Sequence, residues 1–395
     1  MFLRPIALLF VLSFGAFADS ATVLVLQFHN SSQYPDLNWV GESVSETLKD
    51  SLGAGNQIVF SRDARAEALR QLSLRPGADL TKASLLRLGQ SLGANYVSYG
   101  TYEAKLPPGD SDLKHSSIQI SAHLIDLRKL HDGPDLSEAG RLVDLSRLEQ
   151  HLAWQILHYL SPESNLPLDK FLAPNRLTRV DAEESYIRGL LSSSPEKRQK
   201  WFLQALALDN QFASPVFELG KLALERKEYR QAITWLQRIS PADPRYAEAR
   251  FKMGLAAYRA VDYVSAGNYF REIAKAFPLN EVYNNLAAAE DQLRQPNAMD
   301  DFQRALEGDP NDATYLFNLG MALLQAGRFD EAASRLQAVL TRTPDDAEAR
   351  NLLDRARRRD FIPSGTKPPV PPRLKADFDP AAFQQLKALV QSKTS

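Results

Sequence analysis

Six histidines are the side chains of this 395-residue sequence best suited to hold a metal or carry a proton: His29, His115, His123, His131, His151 and His158. A zinc site needs three or four ligands converging on one point. His115, His123 and His131 recur every eight residues but fall in different predicted local structures. His151 and His158 share a helix face, with no third ligand spaced to join them. Cysteine is absent, which removes disulfides, thiolate metal sites, thiol nucleophiles and iron–sulfur clusters. Gly53-Ala54-Gly55 lacks the third glycine and following helix of a dinucleotide loop. Neither a Gly-x-Ser-x-Gly elbow nor a lysine-bearing phosphate loop is present. Glu183-Glu184 and Asp345-Asp346 stand at predicted helix starts, where carboxylates favour the helix dipole. The expectation is a non-enzyme with no catalytic residue, no metal, no cofactor and no small-molecule substrate.

Chemistry being poorly provided for, binding is the better reading. The 47 basic and 48 acidic residues nearly cancel, which argues against a dedicated nucleic-acid binder, whose affinity comes largely from neutralising phosphates. With 44% hydrophobic and 24% charged residues, the composition is that of folded protein.

The elements that could build a binding surface are clearest in the carboxy-terminal half. Phe217-Glu218-Leu219-Gly220, Phe251-Lys252-Met253-Gly254, Asn284-Asn285-Leu286-Ala287 and Phe317-Asn318-Leu319-Gly320 align with one another. Each is followed by an alanine (Ala232, Ala266, Ala298, Ala332) and, four residues later, a large apolar residue (Leu236, Phe270, Phe302, Leu336). Pro244, Pro278, Pro310 and Pro344 close the units at spacings of 34, 32 and 34 residues. Small residues let the two helices of a hairpin approach closely, the large ones fill the gap towards the next repeat, and proline stops the second helix. A weaker copy spans 182–212. This pattern resembles the tetratricopeptide repeat (TPR), a helix–turn–helix unit of about 34 residues stacked into a solenoid. About five hairpins over 181–346 are expected, then a capping helix over 347–360 in which Leu352 and Leu353 face inward.

The resemblance implies a concave groove lined by fixed positions of the first helix of each hairpin. In this sequence those positions hold Phe217, Lys221, Leu224, Phe251, Leu255, Tyr258, Arg259, Asn284, Asp291, Phe317, Met321, Leu324 and Gln325. Aromatic residues there suit a peptide with apolar anchors. Replacing Phe251, Tyr258 and Phe317 by alanine is expected to abolish capture while sparing helicity. The lysine/asparagine carboxylate clamp of chaperone-binding relatives is not reproduced. A proline-rich linker (361–379) leads to a short amphipathic helix (380–395) carrying Phe383, Leu386, Leu389 and Val390. That helix could occupy the groove or dock on a partner.

The amino-terminal half reads as an α+β unit over 19–160: apolar strands at 23–28 and 57–61, helices at 38–52, 63–72, 81–92 and 145–160, and an antiparallel pair at 94–104 and 117–127. A linker covers 161–180. The fold class expected is thus an α+β domain, a mixed sheet with packed helices, followed by an all-α solenoid. The order of elements, with Leu92-Gly93-Ala94-Asn95-Tyr96-Val97-Ser98-Tyr99-Gly100 and Ala122-His123-Leu124-Ile125-Asp126, resembles the envelope domain shared by the TolB amino-terminal domain, FlgO and CsgG. This resemblance implies docking on other proteins. Arg4, the apolar run 6–17 and Ala16-Phe17-Ala18 predict a cleavable signal peptide over 1–18, cut before Asp19. A periplasmic or otherwise exported chain follows, not a lipoprotein and without a transmembrane segment in its mature part. Its expected role is a bacterial cell-envelope scaffold binding proteins or peptides; the alternative is an accessory subunit of an envelope or appendage assembly acting mainly through the amino-terminal domain.

Overall fold

A computed structural model describes residues 20–162, 166–173, 176–360 and 370–392, without the side chains of 391 and 392. The predicted signal peptide, Pro363, Pro368, Pro369 and parts of the 161–180 linker lie outside the described residues. The amino-terminal half is a mixed sheet of six strands: β1 (Thr22–Val25), β2 (His29–Asn30), β3 (Ile58–Val59), β4 (Tyr96–Lys105), β5 (Ser117–Asp126) and β6 (His131–Arg141). Their order is β3-β1-β4-β5-β6, with β2 also paired to β4. β1 runs parallel to β3 and β4, while β4, β5 and β6 are antiparallel, with Gly100 opposite Ala122 and Ser121 opposite Ser137.

Side chains alternate across this sheet, as the two-residue period of a strand demands. Val23, Val25, Tyr96, Ile118 and Ile120 pack with α1 (Trp39–Ala54) and α4 (Leu145–Leu160) on one face. Leu24, Leu26, Val97 and Ile125 pack with α2 (Arg62–Gln71) and α3 (Lys82–Leu92) on the other. Burial on both faces explains the unbroken apolar run of β1. Strand β6 goes unrecognised in the sequence because His131-Asp132-Gly133-Pro134-Asp135 carries almost no apolar residue. Its main chain pairs with β5 at the sheet edge, and an edge strand tolerates proline.

After the short α5 (Leu168–Leu172), ten helices form hairpins: α6 (Val180–Leu191) with α7 (Pro195–Leu208), α8 (Ala213–Glu225) with α9 (Tyr229–Leu236), α10 (Tyr246–Arg259) with α11 (Tyr263–Ala276), α12 (Asn280–Gln292) with α13 (Ala298–Gly308), and α14 (Ala313–Gln325) with α15 (Phe329–Arg342). Helix α16 (Ala347–Arg357) buries Leu352 and Leu353 against the last hairpin, and α17 (Pro380–Ser392) ends the described chain. In four hairpins a glycine in the first helix faces a large side chain of the second. A Cβ would come within 2.4 Å of Phe202 at Gly189, 2.5 Å of Leu236 at Gly220, 2.6 Å of Phe270 at Gly254 and 2.9 Å of Leu336 at Gly320. The large residues therefore fill the crossing inside their own hairpin, where the sequence pattern had assigned them to the gap between repeats.

The two halves share one apolar cluster running from β1 through α1 and α4 into α6, α8 and α10. Within that seam lie two buried carboxyls, Glu149 of α4 and Glu183 of α6. Thr47 donates to Glu149 and Ser43 to Glu183, each at 2.7 Å. Burial pushes both carboxyls up, Glu149 well above the usual range with the Glu183 charge adding to the effect. Unfolded glutamate titrates near pH ~4.3. With folded values raised, the pair's stabilisation is fully present below that pH and is lost as pH climbs through the folded values. Glu149→Gln should therefore melt above the parent protein at pH 8, by roughly 1–3 kcal/mol, and show no such gain at pH 4.5. Circular-dichroism melts at the two pH values check this; an equal offset at both contradicts it.

Candidate peptide-binding groove

The first helices of successive hairpins present the same sequence column to the concave side. Directly after Phe217, Phe251, Asn284 and Phe317 come Glu218, Lys252, Asn285 and Asn318. A polar residue at this inward place is costly unless paired. Asn284, Asn285 and Asn318 have no exposed surface, and their partners are main-chain atoms of the chain's own tail. Asn318 accepts from the Arg373 amide at 2.8 Å and donates to its carbonyl at 2.7 Å. Asn285 does the same for Lys375 at 2.8 and 2.9 Å. Asn284 adds a second donor to the Arg373 carbonyl at 3.0 Å and accepts from Asn318 at 2.8 Å. Each of the two clamping asparagines thus satisfies both polar groups of one residue, as a neighbouring strand does. Alternate residues of an extended chain face the same way, so 373 and 375 meet consecutive repeats. Lys252, in the same column, reaches the Ala376 carbonyl at 3.1 Å and the Asp377 carboxylate.

The tail's side chains are held as firmly as its main chain. Arg373 forks onto Asp346 at 2.6 and 2.9 Å and reaches Glu348 at 2.8 Å. Its guanidinium lies 3.5 Å from the centre of the Phe317 ring. Lys375 pairs with Asp312 and sits 4.8 Å from the Tyr315 ring centre. Hydrogen bonding to Arg373 holds the Asp346 carboxyl below its ordinary range. Asp312 and Asp346 also cap α14 and α16. The Phe378 ring meets Phe251 edge-on at 5.4 Å, and Phe383 meets Phe277 at 4.8 Å. Beyond them Lys387 of α17 points its ammonium at the Gly53 and Ala54 carbonyls, 3.4 Å away, at the end of α1.

The predicted groove positions divide accordingly. Phe251, Asn284 and Phe317 touch the tail. Leu255, Tyr258, Met321 and Leu324 are buried among the helices, as are Phe217 and Leu224 nearer the amino-terminal half. Lys221 pairs with Glu218 at 3.1 Å and lies over Phe217. Arg259 is exposed, and Gln325 is half-buried. Asp291 is half-buried, and desolvation pushes its carboxyl up to about 6. Because Phe251 and Phe317 have no exposed surface and Tyr258 has 8%, replacing all three by alanine would open core cavities at roughly 3–5 kcal/mol for each large aromatic. The expectation that helicity survives that change does not hold. Asn285, Asn318, Asp312, Tyr315, Asp346 and Glu348 were missed by the sequence pattern. The signal that could have found them is periodic: a polar residue in one inward column, and capping aspartates 34 residues apart at 312 and 346.

The histidines stay apart. His29 faces the Gly77 carbonyl at 2.9 Å, His115 meets Asp110 at 2.7 Å, His123 meets Asp135 at 2.6 Å, and His158 stacks on Trp154. Among the described residues no group of three histidine or acidic side chains could hold a metal, and no helix is long and apolar enough to cross a membrane.

Comparison with known proteins identifies the hairpins. Residues 217–281 and 296–356 match family models described as tetratricopeptide repeat; the chain carries TPR repeats. Over 106 residues it is 32% identical to sperm-associated antigen 1 of Rattus norvegicus, and to the same protein of Mus musculus. That stretch is 27% of this chain, and it spans only 12% of the length of those relatives. Among solved structures, YrrB, described as a TPR protein with an unusual peptide-binding site, matches with 19% identity and a TM-score of 0.39 over 43% of this chain and 91% of its own. PilF of Pseudomonas aeruginosa matches with 21% identity and a TM-score of 0.39 over 49% of this chain and 89% of its own. TPR scaffolds of this kind serve protein–protein interaction.

Asn318→Ala removes one complete main-chain clamp. At about 1 kcal/mol for each lost hydrogen bond, amide exchange at Arg373 should accelerate roughly 10–30-fold, more than at Lys375, which Asn285 still holds, while α14 and α15 keep their protection. Hydrogen–deuterium exchange with mass spectrometry reads both; unchanged exchange in the tail refutes the clamp.

Proposed function

We propose that this protein is an exported, non-enzymatic adaptor that holds an extended segment of a partner protein in the groove of its TPR array, while the amino-terminal α+β unit docks on cell-envelope proteins. One observation carries the groove reading: buried asparagines in consecutive repeats pair with amide and carbonyl of alternate residues of an extended segment. Such pairing recognises a polypeptide as a polypeptide, whatever its side chains. Export is supported by the apolar run 6–17 and the small-x-small triplet ending at Ala18. Envelope docking is supported by the likeness of residues 21–160 to the TolB, FlgO and CsgG domain. A filled groove also favours a second reading, an accessory subunit of an envelope assembly that works through its amino-terminal unit.

The groove is tested with the full chain loosened at its tail by Arg373→Ala and Lys375→Ala. Peptides selected on it from a displayed library should lose at least tenfold in affinity, about 1.4 kcal/mol or more, when Asn285→Ala and Asn318→Ala are added. Binding indifferent to both asparagines sinks the reading. Export has its own check: intact-mass analysis of protein recovered from the periplasmic fraction of a bacterial host should give a first residue of Asp19. A chain retained in the cytosol with Met1 in place contradicts it.

A further inference from the structure

The tail records more than the groove's affinity for main chain; it shows which side chains the groove accepts. Acidic and aromatic groups alternate along the path. Asp346 and Glu348 converge on the Arg373 guanidinium that lies over the Phe317 ring, Asp312 holds the Lys375 ammonium that lies over the Tyr315 ring, and Phe251 closes the far end. A carboxylate beside an aromatic face selects a cation twice, by charge and by the ring quadrupole. The fork of Arg373 on Asp346 is bidentate, a geometry that a lysine ammonium cannot reproduce. Two residues on, the single ammonium of Lys375 suffices for Asp312. Three residues further, Phe378 supplies the apolar anchor. Between the anchors Ala376 and Asp377 are exposed, and the groove's contact there is Lys252, on the Ala376 carbonyl and the Asp377 carboxylate, so an acidic residue is accepted two places after the lysine.

We propose that the groove's partner in trans is an extended basic segment with arginine, then lysine two residues later, then an aromatic residue three further on, and that it binds by displacing the chain's own tail. This rests on the peptide-groove reading and sharpens it. Charge complementarity supports the choice. Without the tail, Asp312, Asp346 and Glu348 line one concave path with aromatic faces beside them, an array of unpaired like charges that a dibasic ligand neutralises. The tail is a displaceable occupant because its advantage is one of local concentration, in the millimolar range for a short tether, so a ligand with the same anchors competes once it is abundant or tethered to the protein elsewhere.

The probe is a fluorescent synthetic peptide with the sequence of residues 370–383, used with two relatives: one with Arg373→Glu and Lys375→Glu, the other with Phe378→Ala. Anisotropy titrations are run on the parent full chain and on a full chain whose tail carries Arg373→Ala, Lys375→Ala and Phe378→Ala. The loosened chain should bind the basic-aromatic peptide at least tenfold more tightly than the parent does, and at least tenfold more tightly than it binds either altered peptide. Adding Asp312→Asn and Asp346→Asn keeps a side-chain oxygen for capping both helices and removes the charges. That change should weaken the basic peptide at least tenfold and flatten its salt dependence while the melting temperature holds. Equal affinity for basic and acidic peptides overturns the proposal and leaves a groove that reads main chain alone. Failure of every peptide to bind the loosened chain overturns the groove reading itself. Concentration-dependent dimers of the parent, lost in the loosened chain, assign the tail's place to a second copy and likewise overturn the proposal.

Discussion

Two helices of a hairpin cross closely where one of them presents little or no side chain, and Gly189, Gly220, Gly254 and Gly320 meet that condition against Phe202, Leu236, Phe270 and Leu336, with Ala287 in the same column of the α12–α13 hairpin. Ångström-scale room at these crossings sets how each second helix lies on its first, and so how one hairpin presents its inner column to the next. Because the crossing recurs at the repeat period, whatever residue type stands in the inner column recurs too. The groove is a consequence of that repetition: Lys252, Asn285 and Asn318 come into line because each stands two residues before the small crossing residue of its hairpin, Gly254, Ala287 and Gly320.

The inner column then imposes a second requirement. Buried amides need partners, and three asparagines with no exposed surface find theirs in an extended segment that comes from far along the chain. The same segment neutralises Asp312 and Asp346, whose first duty is to cap α14 and α16. Ordering the tail costs conformational entropy, offset by main-chain clamps, two cation–ring contacts and the Phe378 anchor. Continuing into α17, the tail reaches the end of α1 through Lys387. The groove's occupant therefore touches both halves of the molecule, which already share one apolar core and the buried Glu149–Glu183 pair.

How far these features could be read from sequence depended on whether their cause was local or periodic. The strands β1, β4 and β5 and helices α1 to α4 announce themselves by apolar spacing, and the hairpins by recurrence of glycine, alanine and proline. Strand β6 carries no such signal, since its first residues, Asp132 to Asp135, are polar or turn-forming and are placed by pairing with β5 and by the contacts of Asp132 with Lys82 and Asp135 with His123. The groove positions implied by the TPR resemblance point to the right helices, yet most of the aromatic and aliphatic ones serve as core between helices. The residues that touch the tail lie one column over, in polar types that a search for apolar anchors passes by.

What the sequence by itself determined is the order of parts: a mixed sheet with packed helices, then helical hairpins repeating every 32 to 34 residues. These follow from short-range physics, in which side-chain size, hydrogen-bonding capacity and backbone freedom act within one element or one repeat. Only the tertiary structure decided that Arg373, Lys375 and Phe378 lie on Asp346, Asp312 and Phe251. Those pairs are 27, 63 and 127 residues apart along the chain. No spacing rule specifies them, because an extended segment satisfies its own hydrogen bonds nowhere within itself and takes its partners from whichever folded surface offers a matching row of amides and charges.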